Sequence, residues 1–203
     1  MHITKPAAEM FNTLGRHSNF LFRMIFANLW LFKGVINMIC KKSGGELNAL
    51  VRTTVAFTQS EGSSVPNVIP PKATMTANLR LNHKDTVESA VERIRKTIKD
   101  DSIELTVGNN MQPSRISQTN CEAFDKVASA VTATWKDCLV SPYLMVQCSD
   151  SRHYGAISDK VYRFSAMDLT SEERKTIHGH NEKIRLETAH RAVEFYIRLM
   201  KNC

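Results

Sequence analysis

Ala73-Thr74-Met75-Thr76-Ala77-Asn78-Leu79-Arg80-Leu81 alternates throughout, with apolar side chains at the odd positions and polar ones at the even. Successive side chains of a strand point to opposite faces, so this run predicts a half-buried strand with Thr76, Asn78 and Arg80 on its polar face. A helix is predicted next, because Val87, Ala90, Val91, Ile94 and Ile98 recur at helical spacing and make one apolar stripe. Ile103, Leu105 and Val107 then alternate as a further strand. Upstream, Val51 to Thr58 alternates, with Val51, Val55 and Phe57 on one face. Gly62-Ser63-Ser64 and the prolines Pro66, Pro70 and Pro71 break the chain between the two runs. Strand, strand, helix, strand can therefore be read from 51 to 108.

Working outward, residues 1 to 42 contain Phe20, Leu21, Met24, Ile25, Leu29, Leu31, Phe32, Val35 and Ile36. They predict two short, largely apolar helices, open to use as a partner-binding stretch, a membrane-surface stretch or a domain insert. Arg23 and Lys33 bound only nine uncharged residues, against about 20 needed to span a bilayer. With no secretory signal pattern either, the expectation is a cytoplasmic chain with no membrane span. Toward the C-terminus, the polar stretch Asn109 to Thr119 reads as a crossover dividing 1–112 from 113–203. Phe124, Val127, Ala128, Val131 and Trp135 form a helical core stripe, and Ala189, Ala192, Val193, Tyr196 and Leu199 form another. Between them, Val140 to Gln147 reads as a buried strand leading to Asp150, and Val161-Tyr162-Arg163-Phe164 as a strand-like run.

The 203 residues carry a net charge of +7 and are 42% hydrophobic, with a pI of about 9.3. Such a balance reads as diffuse surface charge, with an anionic partner or attraction of carboxylate substrates as the alternatives. A nucleic-acid partner is not expected, because the polar sheet face of Thr76, Asn78 and Arg80 has no aromatics on which bases could stack. The five cysteines are odd in number and include no C-x-x-C, which argues for reduced thiols over a disulfide frame or zinc knuckle. Cys148 reads as a small buried hydrophobe or a reactive thiol.

Two segments carry chemistry. Ile177-His178-Gly179-His180-Asn181-Glu182-Lys183-Ile184 sets two histidines, an amide and a carboxylate around a glycine. Neutral histidine is a common metal ligand, and a carboxylate often orients it. A polar turn before a helix fits the octet as well. Cys148-Ser149-Asp150-Ser151-Arg152-His153-Tyr154 reads on its own as a capped turn. The H-x-D triplet His83-Lys84-Asp85 is best explained as a turn between strand and helix, and Thr170 with Glu173 as a helix capping box.

Taken in order, Pro66-Asn67-Val68-Ile69-Pro70-Pro71, Ala77-Asn78-Leu79-Arg80, Ser149-Asp150-Ser151-Arg152, Tyr162-Arg163-Phe164 and Ile177-His178-Gly179-His180-Asn181-Glu182 resemble the dinuclear-zinc exopeptidases. This family includes carboxypeptidase S, the aminoacylases and succinyl-diaminopimelate desuccinylase, and the carboxypeptidase S-like branch is most similar. The resemblance implies an α/β protein in which a ferredoxin-like α+β lid, or dimerisation, domain (1–112, with an apolar helical insert at 1–45) joins the C-terminal part of an α/β catalytic domain (113–203). It implies zinc-dependent hydrolysis of a dipeptide or N-acyl amino acid at the amide next to a free carboxylate, in a homodimer formed through the lid. Arg80 and Asn67 would hold that carboxylate, and Asp150, Ser151 and Arg152 would line the cleft. His178 would be a zinc ligand, with Glu182 orienting it. His17 does not match the family's lid histidine, since no proline follows it. The family's H-x-D motif, bridging aspartate and base glutamate find no match. The expectation is therefore the C-terminal portion of an enzyme, inactive alone, with a non-catalytic dimerisation or regulatory module as the alternative.

Overall fold

The computed structural model describes residues 1–203. It divides into two compact units, Met1–Arg115 with Tyr143–Cys148, and Ile116–Pro142 with Ser149–Cys203.

The first unit opens with four helices where the apolar pattern predicts two. Helix α1 (Lys5–Arg16) begins at Thr4, whose hydroxyl accepts the Ala7 N–H at 3.4 Å, with Pro6 in the first turn. Helix α2 (Phe20–Ala27) is capped by Asn19, which accepts the Phe22 N–H at 3.1 Å. Both caps satisfy helix N–H groups that lack an internal partner. Helix α3 (Lys33–Ser43) gives way to α4 (Gly45–Val51) through Gly44 and Gly45, at φ 61° and 48°. Only glycine visits that region at little cost, so the pair lets the chain break and restart its helix. Met10, Phe11, Ile25, Ile36, Cys40, Leu50 and Val51 form one buried cluster, which Leu144 and Val146 join from the far side of the sequence.

Strand β1 (Thr54–Glu61) pairs antiparallel with β2 (Thr74–Arg80). Thr54 faces Arg80 and Phe57 faces Ala77, and a bulge then shifts the register so that Gln59 faces Thr76. Val51, expected on the first strand, is the last residue of α4. The apolar faces are less covered than alternation predicts, for Phe57 is 72% exposed and Val55 and Met75 are also exposed. The strand expected at Ile103, Leu105 and Val107 does not form. A strand needs a neighbouring ladder, and here Ile103 N–H closes a turn onto the Asp100 carbonyl at 3.3 Å. The unit is thus α+β with a two-stranded sheet.

Helix α5 (Val87–Ile98) begins with a reciprocal box. Ser89 N–H donates to Thr86 Oγ1 at 3.1 Å, and Thr86 N–H to Ser89 Oγ at 2.9 Å. Just before it sits a buried polar knot. Thr53 Oγ1 donates to Asp85 Oδ2 and accepts the Asn82 N–H at 2.9 Å. Arg93 reaches Asp85 with both terminal guanidinium nitrogens, at 2.9 and 3.3 Å. The hydrogen bond from Arg93 is the main reason the Asp85 carboxyl sits below the usual carboxylate range.

The second unit is built on α6 (Glu122–Thr134), the short α7 (Ser171–Lys175) and α8 (Leu186–Lys201). Phe195, 1% exposed, seats against Ala130, Val131 and Ala166. Trp135 and Phe164 enclose it at ring-centroid distances of 5.8 and 5.0 Å. Small residues on α6 give the ring room, and Arg198 donates to the Ala133 carbonyl at 2.7 Å, a cation at the negative end of that helix. The strands expected over Val140–Gln147 and Val161–Phe164 are irregular segments instead. Without a ladder, Val146 packs against the core of the first unit and Val140 against that of the second, while Phe164 stays exposed with its ring against Phe195. Helix α8 therefore packs on α6, not on a sheet. No helix is long and apolar enough to cross a membrane.

Replacing Phe195 by Ala is expected to cost about 3–5 kcal/mol, read as a lower urea midpoint. Asp85→Ala is expected to cost about 1–3 kcal/mol, because Thr53 and Arg93 lose their acceptor. A depressed folded pKa means the Asp85 contribution is fully present above the unfolded value of about pH 4 and fades as pH falls through the folded one. The thermal midpoint should thus fall more steeply on acidification in the native chain than in Asp85→Ala.

Candidate functional site

In the first unit, Arg80 ends β2 opposite Thr54. Its Nη1 donates to the Val146 carbonyl at 2.7 Å, which anchors the side chain while the residue stays exposed. A guanidinium presents five N–H donors in a planar fork, so most of this one is left for a planar anion such as a carboxylate. Asn67 lies exposed in the turn before β2, beside exposed Val68 and Ile69. No hydrogen bond joins it to Arg80.

In the second unit, Asp150, Ser151 and Arg152 open a 3₁₀ helix (Asp150–Ala156). Ser149 caps it, taking the Ser151 N–H on its hydroxyl at 3.3 Å and the Arg152 N–H on its carbonyl at 3.1 Å. Ser151 Oγ accepts from Arg163 Nε at 2.7 Å. That bond links two sequence motifs through Arg163, a residue quoted in one of them but not expected to contact the other. Arg152 Nε lies 3.4 Å from His153 Nε2, and Asp150 is exposed.

The loop before His178 is held by charges. Thr170 N–H donates to Glu173 Oε2 at 2.7 Å and Glu173 N–H returns to Thr170 Oγ1 at 3.2 Å. The other Glu173 oxygen takes Arg185 Nε at 2.9 Å. The Thr170 N–H is the largest cause of the lowered Glu173 pKa. Both oxygens are engaged, so this glutamate is a cap and not a free base. Asp168 receives Thr188 Oγ1 at 2.8 Å and Arg191 Nη1 at 3.3 Å.

His178 itself adopts φ 63° and Asn181 φ 57°, conformations costly for residues other than glycine. Gly179 N–H donates to the Thr176 carbonyl at 2.8 Å, and a Cβ at Gly179 would lie 3.1 Å from that oxygen. Glu182 Oε2 accepts the backbone N–H of His178 at 3.3 Å. The carboxylate therefore braces the peptide of the turn. His178, His180 and Glu182 are all exposed.

No group of three or more His, Cys, Asp or Glu side chains is arranged to hold a metal ion. Zinc takes three or four protein ligands, so the residues of this chain do not by themselves fit the metal. The H-x-D triplet adds none, since both Asp85 oxygens are occupied by Thr53 and Arg93. Cys148 is exposed, contrary to the reading as a buried hydrophobe, and Cys40 is the buried cysteine. Cys121, just before α6, lies 3.1 Å from the Tyr162 hydroxyl, which is the first cause of its lowered thiol pKa.

The family model described as peptidase dimerisation domain matches residues 7–106. An N-fatty-acyl-amino acid synthase/hydrolase of Xenopus tropicalis is 36% identical over 198 residues, which cover 97% of this chain and 38% of the relative. The probable carboxypeptidase S-like 2 of Dictyostelium discoideum is 30% identical over 194 residues, 95% of this chain and 37% of the relative. An N-fatty-acyl-amino acid synthase/hydrolase of Mus musculus is 29% identical over 97% of this chain and 40% of the relative. The chain thus spans about two-fifths of the length of these curated relatives. No solved structure matches the chain significantly. The chain is thus similar to a peptidase dimerisation domain over residues 7–106 and, along nearly its whole length, to relatives named as hydrolases and carboxypeptidases.

Proposed function

We propose that the chain supplies the dimerisation domain and the C-terminal part of the catalytic domain of a zinc-dependent hydrolase. The substrate class is a dipeptide or N-acyl amino acid cleaved at the amide beside a free carboxylate. One observation carries this reading, namely alignment of 97% of the chain with a relative named for N-fatty-acyl-amino acid hydrolysis. Arg80, anchored on Val146 with most of its fork exposed, would bind the substrate carboxylate with Asn67. Asp150, Ser151 and Arg152 would line the cleft, with Ser151 held by Arg163. His178 would donate one ligand to zinc, on a turn that Glu182 braces. The other ligands and the base glutamate would come from outside these residues. Alone, the chain does not hydrolyse these substrates, and its setting is the cytoplasm.

The purified chain with added zinc is expected to leave N-acyl amino acids and dipeptides intact; turnover abolished by His178→Ala would overturn this. Mixed with the separately expressed N-terminal portion of the Xenopus relative, it should gain hydrolysis. In that complex His178→Ala should lower kcat/KM at least about a hundredfold, and Arg80→Ala should raise KM about tenfold to a hundredfold. No gain of hydrolysis, or no effect of either substitution, would sink the reading.

A second reading is a non-catalytic dimerisation or regulatory module, favoured by the match over residues 7–106 together with the lack of a metal-binding cluster. The exposed sheet face would then pair two copies. Sedimentation should show a homodimer that Phe57→Asp weakens at least about tenfold, and a native chain that is monomeric at micromolar concentration would exclude it.

A further inference from the structure

The first unit exposes an unusual apolar stretch. Phe20 is 81% exposed at the start of α2, and Trp30 and Leu31 are 79% and 61% exposed in the turn between α2 and α3. Leu21, Phe22, Met24, Val35 and Met38 are exposed as well. These side chains are not completing a core, for the same helices bury Ile25, Ile36 and Cys40 on their inner side. The charge around them is one-sided. From Met10 to Gly45 the sequence has Arg16, Arg23, Lys33, Lys41 and Lys42 and no aspartate or glutamate. Arg16, Arg23, Lys33, Lys41 and Lys42 are all exposed.

An outward aromatic and aliphatic tip inside a purely basic frame matches one kind of surface. Apolar side chains enter the boundary between headgroups and acyl chains while lysine and arginine stay with the phosphates. Tryptophan is favoured at that depth because its ring is apolar and its N–H can stay hydrated. A single sign of charge calls for an anionic partner, and the aromatic and aliphatic tip calls for an apolar layer beneath that charge, which a phospholipid surface supplies together. No helix here is long and apolar enough to cross a bilayer, so the contact considered for this tip is with the surface.

We propose that the α2–α3 tip docks on an anionic phospholipid surface, with Trp30 and Leu31 inserted and Arg23 and Lys33 on the headgroups. This stands independently of the hydrolase reading, because it concerns lipid binding by the 203-residue chain without substrate or metal.

The test is co-sedimentation of the full 203-residue chain with phosphatidylcholine vesicles, with and without about one-third phosphatidylserine. The native chain should bind the anionic vesicles at least about tenfold more strongly, and lose that preference as salt rises. The double substitution Trp30→Ser with Leu31→Ser should lower binding at least about tenfold. Arg23→Glu with Lys33→Glu should do the same on anionic vesicles only. All four side chains are exposed, and unchanged circular dichroism would show that the variants fold. The Trp30 emission should move to shorter wavelength on binding, and Trp135→Phe isolates that signal. Equal binding to both vesicle types, no binding to either, or loss of neither interaction in the variants would overturn the proposal. So would sedimentation showing that Trp30→Ser with Leu31→Ser dissolves a dimer, since a second copy would then be what covers the tip.

Discussion

The first unit depends on how one buried carboxylate is satisfied. Asp85 sits where β2 has ended and α5 has not begun, and an unpaired charge there would be costly. Thr53, just before β1, and Arg93, two turns into α5, both hydrogen-bond to it. The residue before β1 and helix α5 are thus tied to one side chain, and Asn82 adds a bond to the same threonine.

In the second unit a single ring plays the corresponding part. Phe195 fills the space that the small residues of α6 leave open, and Trp135 and Phe164 close over it. The loop carrying His178 is then secured from α8 by side-chain bonds to Asp168 and from Arg185 to Glu173. Hydrophobic packing places the helices, while hydrogen-bonded charges place the loop. A turn with two non-glycine residues at positive φ needs such outside support, because its own backbone energy does not favour it.

Features with short-range causes were legible in the sequence. Helices α5, α6 and α8 follow from 3.6-residue stripes, and β2 from alternation. The capping boxes at Thr86 and Thr170 come from residues three apart, although Ser89 in place of glutamate hides the first. Strands at 103–107, 140–147 and 161–164 were not formed, because alternation states a preference that only a neighbouring strand can realise. Helix α1 was legible as well, although not expected, for Ala7, Met10, Phe11 and Leu14 recur at i, i+3, i+4 and i+7 behind Pro6 and the Thr4 cap; α4, seven residues long, is too short to show a stripe. For the candidate site, the motifs of Arg80, Ser151 and His178 could be read directly. The bonds from Arg163 to Ser151 and from Glu182 to a backbone N–H could not, because they depend on side-chain directions in the folded state.

Residues 143–148 belong to the first unit although the chain on either side of them belongs to the second. Leu144 and Val146 complete a core whose other members end at Val51, and the Val146 carbonyl is the acceptor that anchors Arg80. During synthesis the helices α1 to α4 leave the ribosome long before that strip of chain exists. Closing so long a loop adds little to the equilibrium cost, which grows only with the logarithm of its length, but contacts so distant in sequence slow the approach to the native state. The N-terminal helices must therefore wait with an incomplete core, and Arg80 is fixed only after residue 146 has arrived. Neither unit can be released intact by a single cut of the chain.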